Sequence, residues 1–129
     1  MENEAVRPVV LLTDFGLEDC FVGVVKGVIL NVHPEAVIID LCHAVEPQNV
    51  LQGSFLLSSS YEYFPSKSIF CAVVDPGVGS DRPAVCIETA RFYFVGPDNG
   101  LLWKAAYSDG IKKIVTLENK EYFLESVSS

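Results

Sequence analysis

Two stretches of this chain carry residue types able to do chemistry at spacings that keep them together. In LTDFGLED, residues 12–19, the carboxylates of Asp14 and Asp19 bracket a turn at Gly16. Two acids so spaced can both lie beside a helix N-terminus, where backbone N–H groups and the helix dipole favour their ionised forms. One reading is purely local: a turn aspartate followed by a helix-capping aspartate. The other is a ligand grip, with Asp14 accepting sugar hydroxyls at the end of a strand and Asp19 holding an ammonium group. In VVDPGVGSDR, residues 73–82, Asp75 opens a loop stiffened by Pro76 and freed at Gly77 and Gly79, so that a ligand can approach the backbone closely. Arg82 lies seven residues on, within reach of Asp75 if the loop folds back, either as a structural ion pair or as part of a reactive set. The GxxxxGK pattern is absent and the loop begins with an acid that would repel phosphate, which excludes a phosphate loop.

The elements that must position these acids follow from hydrophobic patterning. Val9 to Thr13 is continuously apolar and follows Pro8, as expected of a strand buried on both faces. From Asp19 to Val32, the residues Phe21, Val24, Val25, Val28, Ile29 and Val32 recur at steps of three and four, predicting a helix with Asp19 as its cap. Ala36 to Leu41 repeats the buried-strand pattern, Gln48 to Tyr61 the helical one, and Ser68 to Val74 forms a third strand running into Asp75. Alternation of strand and helix predicts an α/β fold in three layers, α/β/α, with a mostly parallel sheet and ligands gathered beyond the carboxyl ends of the strands. Pro83 to Thr89 and Phe92 to Gly96 read as a hairpin joined at Ala90-Arg91, so the sheet is expected to be mixed. A helix from Asn99 to Tyr107 and a strand from Ile111 to Glu118 complete the pattern, and residues 1–129 read as a single domain. The tail EYFLESVSS ends in a polar run without a closing element, as would a boundary cut from a longer protein or a frayed natural terminus.

Composition narrows the function classes. Half of the 129 residues are hydrophobic, enough for one domain with a real core. Seventeen acidic against nine basic residues, the latter scattered, leave no footprint for nucleic acid and little repulsion for a cationic ligand. Cys20, Cys42, Cys71 and Cys86 form no CxxC pair and read as buried small hydrophobes rather than as metal or redox ligands. The apolar run at Val9 to Leu12 is too short for a signal or membrane segment, and a reducing cytoplasm fits the free thiols.

Taken together, LTDFGLEDCFVGVVKGVI, IIDLCHAVEPQNV, VVDPGVGSDR and FVGPDNGLL resemble, in order and spacing, the N-terminal domain of the S-adenosylmethionine hydroxide adenosyltransferase family, whose relatives include the adenosyl-chloride and adenosyl-fluoride synthases. The resemblance implies that S-adenosylmethionine is cleaved at ribose C5′ by water or hydroxide, giving adenosine and methionine without a metal or other cofactor. It matches Asp14 to the acid on the ribose hydroxyls, Asp19 to one near the methionine amino group, and Asp75 and Arg82 to two of three polar residues that position and activate the water. The third, a histidine, lies in the family just past this chain's last residue. Neither His33, a surface or capping residue at a helix end, nor His43 in the LCHAVEP loop matches it. The family's C-terminal β-barrel domain is likewise absent from this chain, and because the family's site forms between subunits of a trimer, a homotrimer is expected when full length and little activity from this segment alone. The halogenating relatives carry a non-acidic residue in place of Asp75, a tyrosine in the fluoride enzyme, which also has a tryptophan in place of Gln48 and a long insertion at Ala90-Arg91. A carboxylate beside a halide would repel it, so the nucleophile implied is water. A module that binds S-adenosylmethionine or another nucleoside without cleaving it is the remaining alternative.

Overall fold

The computed structural model describes residues 7–75 and 83–117. Its strands are β1 (Val9–Thr13), β2 (Ile38–Cys42), β3 (Ile69–Val73), β4 (Ala84–Thr89), β5 (Tyr93–Pro97) and β6 (Ile111–Leu117), and its α-helices are α1 (Phe21–Val32), α2 (Val50–Ser60) and α3 (Trp103–Asp109). The strands form one sheet in the order β2-β1-β3-β5-β4-β6. Pairing is parallel from β2 through β1 and β3 to β5, and antiparallel on both sides of β4. The expected mixed α/β sheet is therefore present, with β4 as its one reversed strand among the described residues.

Register decides which face each helix covers. Leu11 pairs with Asp40 on β2 and with Cys71 on β3, so all three point to one side of the sheet. Lys26 of α1 reaches Asp40 with an ion pair of 2.7 Å, which puts α1 on that side. The alternate residues Val10, Leu12, Phe70, Ala72 and Phe94 pack with Leu57 of α2 and Ala105 and Ala106 of α3 in the main core. Helices thus lie on both faces, as right-handed crossovers from β1 to β2 and back to β3 require. Phe70 and Phe94 stack at 5.1 Å between centroids, and Tyr61 and Phe92 meet them edge-on. Gly96 allows β5 to approach β3, since a Cβ there would stand 2.4 Å from the Ala72 carbonyl oxygen.

Several expectations shift. β2 is an edge strand with its residues half-buried or exposed, not a buried one, and it starts two residues late because Ala36 closes a turn onto the His33 carbonyl at 3.0 Å. α3 begins at Trp103 rather than Asn99, because Gly100 adopts φ +94° and Asn99 accepts a hydrogen bond from Leu101 N–H at 3.0 Å, forming a turn ahead of the helix. Helix α1 buries only Val22 fully, while Phe21, Val24, Val28 and Val32 are more than half exposed. Periodicity marks an apolar stripe but does not supply the surface that covers it. The cysteines are not buried as expected: Cys20 is exposed on the loop before α1, and Cys42, Cys71 and Cys86 are half-buried. Burial nevertheless pushes the Cys71 thiol up, as it does that of Cys86, which the nearby Glu88 raises further. Residues 118–129, which include Glu118 at the end of the expected last strand and the tail EYFLESVSS, lie outside the described residues.

Candidate active site at the carboxyl ends of the strands

Strand order brings the acidic loops together. Thr13 pairs with Val73 on adjacent parallel strands, so Asp14 and Asp75 follow a matched pair, one and two residues beyond it. Neighbouring strands are about 4.8 Å apart, which makes these carboxylates residues of one sheet edge. Asp75 is buried, at 8% exposure. The carbonyl of Val74 just before it accepts a hydrogen bond of 2.9 Å from Asn99 Nδ2 in the loop after β5. Asn99, expected to open a helix, thus ties a third loop to the Asp75 position. Arg82 lies outside the described residues.

Asp14 is held from the other side. Its Oδ2 accepts a 2.6 Å hydrogen bond from the backbone N–H of Gln48, in the loop between β2 and α2. Gln48 has φ +65°, a left-handed conformation uncommon outside glycine, which places its N–H on the carboxylate. Asn49 then caps α2 by accepting from Gln52 N–H at 2.9 Å. Asp19 is exposed and its Oδ1 accepts from Phe21 N–H at 3.0 Å. The helix begins at Phe21 with Cys20 at its N-cap position, so Asp19 stands one residue before the cap expected of it and bonds the first helical N–H from there.

His43, which matches no catalytic residue of the family pattern, is engaged at this edge through both ring nitrogens. It is buried, its Nδ1 lies 2.7 Å from Thr13 Oγ1, and its Nε2 lies 2.8 Å from Asp40 Oδ1. Donation from Nε2–H to the carboxylate and a hydrogen bond between Nδ1 and the Thr13 hydroxyl give both ring nitrogens a partner. Lys26 completes the chain on Asp40 Oδ2, and its hydrogen bond, followed by that of His43, holds the Asp40 carboxyl below its usual range. His33 caps the end of α1 through its backbone N–H and is exposed, as expected. Among the described residues, no group of three or more His, Cys, Asp or Glu is arranged to hold a metal ion, and no helix is long and apolar enough to cross a membrane. A groove of about 460 Å³ runs along α2, lined by Asn49, Gln52, Phe55 and Lys104, and holds none of the acids described above.

Comparison with known proteins matches residues 9–129 to the SAM hydroxide adenosyltransferase N-terminal domain. The chain belongs to this family. Among SAM hydroxide adenosyltransferase relatives, it is 40% identical over 127 residues to the (R)-S-adenosyl-L-methionine hydrolase of Methanocaldococcus jannaschii, covering 95% of this chain and 48% of that protein. A crystal structure of an uncharacterised conserved protein from Thermotoga maritima superposes with a TM-score of 0.83 at 44% identity, covering 88% of this chain and 44% of that one. The fluorinase of Nocardia brasiliensis is more distant, 23% identical over 143 residues, covering 92% of this chain and 48% of the enzyme. The chain spans about half the length of the curated relatives it matches.

Proposed function

We propose that the full-length protein hydrolyses S-adenosylmethionine to adenosine and methionine. The observation that carries this reading is the juxtaposition of Asp14 and Asp75 just past the paired residues Thr13 and Val73, in a chain that belongs to the SAM hydroxide adenosyltransferase family. In the proposed reaction, a water oxygen forms a bond to ribose C5′ as the C5′–S bond breaks. The electron pair leaves with sulfur, so the sulfonium becomes a neutral thioether, and the water proton passes to Asp75 or to solvent. Attack by an anionic or incipiently anionic oxygen on a cation is favoured where water is partly excluded. Water is a weak nucleophile at neutral pH, so the reaction needs a group to accept its proton or orient it, and the buried Asp75 suits that task.

Asp14 is assigned to the ribose hydroxyls, Asp19 to the methionine ammonium group, and Arg82 to the support of Asp75 and of hydroxide character. The substitution neutralises charge without electron transfer and calls for no metal or redox cofactor. A halide nucleophile is disfavoured by the carboxylate at Asp75, since like charges repel most strongly where burial lowers the effective dielectric. Assembly into a homotrimer, with a second domain completing the site, is part of this proposal. It is supported by the chain's half-length match to its relatives and by the uncovered apolar surface of α1. An acidic chain with four free cysteines also suits work in the cytoplasm.

The test is product analysis of full-length protein given S-adenosylmethionine in ¹⁸O-labelled water. Adenosine carrying the label at its 5′-hydroxyl, together with methionine, is the expected outcome. Ligand binding that is abolished by Asp14→Ala, with no adenosine released by the unsubstituted protein, would replace the enzyme with a sensor of the same nucleoside.

A further inference from the structure

We propose that the His43 side chain is a positioning group that sets the Asp14 carboxylate for the ribose hydroxyls, acting through Thr13. This rests on the assignment of Asp14 made above. The segment that carries Asp14 hangs on His43 at both ends: Thr13 Oγ1 meets the ring at Nδ1, 2.7 Å away, and Gly16 N–H donates to the His43 carbonyl at 2.8 Å. Asp14 and Phe15 lie between these anchors, and Phe15 N–H closes a small turn onto Thr13 Oγ1 at 3.1 Å. Val45 N–H donates to the Thr13 carbonyl at 3.4 Å, and Gln48 N–H to Asp14 itself, so residues 43–48 clasp residues 13–16 along their length.

The ring is fixed in turn. Asp40 holds Nε2, Lys26 holds Asp40, and both Thr13 and His43 are buried, at 2% and 6% exposure. A hydrogen-bonded ring with no freedom to turn transmits a defined position to Thr13, whereas an alanine there would leave the buried threonine hydroxyl without this partner. Both ring nitrogens are engaged by Thr13 and Asp40. Its effect passes through Asp14, on the step in which the ribose is gripped.

A double-mutant cycle on full-length protein separates this role from general support of the fold. Calorimetry with adenosine should show His43→Ala weakening affinity about ten-fold, the scale of one buried hydrogen bond, with KM for S-adenosylmethionine rising more than kcat falls. In Asp14→Ala the same histidine substitution should add nothing. Binding of 2′,3′-dideoxyadenosine, which lacks the hydroxyls, should be equal in wild type and His43→Ala. His43→Asn, whose amide can stand where Nδ1 stands, should restore adenosine affinity and serves as the test variant if the alanine protein does not fold. Full additivity with Asp14→Ala, or an equal loss with the dideoxynucleoside, would overturn the positioning role and leave the function intact. Wild-type protein that binds neither adenosine nor S-adenosylmethionine would remove both.

Discussion

The backbone N–H of Gln48 donates a 2.6 Å hydrogen bond to the Asp14 carboxylate from a left-handed conformation, φ +65°. A non-glycine residue in that region carries a conformational cost, sustained here by the contacts of the loop around it. Gln48→Gly should be tolerated, because glycine adopts positive φ freely. Gln48→Val should cost about 1–2 kcal/mol in chemical denaturation, since a β-branched residue resists that region, and should weaken adenosine binding in the full-length protein.

Asp75→Asn keeps volume and removes the proton acceptor. In full-length protein, turnover of S-adenosylmethionine should fall by about 10²–10⁴-fold with only a modest loss of substrate binding. Steady-state kinetics beside calorimetry would measure both, and unchanged turnover would exclude Asp75 from the mechanism.

Two glycines near this edge should respond differently to alanine. At Gly96 the new Cβ would lie 2.4 Å from the backbone oxygen of Ala72, and strands β3 and β5 would have to part. Gly96→Ala should therefore cost about 3 kcal/mol. At Gly53 the nearest atom, at 2.8 Å, is Leu101 Cδ1, the end of a flexible side chain, so Gly53→Ala should cost less than about 1.5 kcal/mol. Urea titrations of the two variants decide the order.

The Asp40 carboxyl is held below its ordinary value of 3.8 by Lys26 first and His43 second. It binds a proton more weakly folded than unfolded, so its contribution to stability is fully present above about pH 4 and is lost as pH falls through the lower folded value. Asp40→Asn removes this term. The variant's stability should fall less steeply than that of the wild type below about pH 4, as measured by thermal melts across an acid series.

Much of this architecture was legible in residue order, because secondary structure follows from neighbours along the chain. The apolar run of Val9 to Thr13, the three-and-four spacing from Phe21 to Val32 and the acids closing two strands depend on local periodicity and turn chemistry alone. They located the α/β class and the loops that carry Asp14, Asp19 and Asp75. Tertiary structure alone decided what lies beside those loops. Asp14 and Gln48 are 34 residues apart and Thr13 and His43 are 30 apart, so their pairing waits on strand order, which sets β2 and β3 on either side of β1. The exposure of α1 and of edge strand β2 likewise depends on what is packed opposite, a property of the assembled sheet and not of the stripe written in the sequence. A lone histidine carries no local signal of its partners. His43 acquires its place only when the sheet brings Asp40 and Thr13 to its two nitrogens.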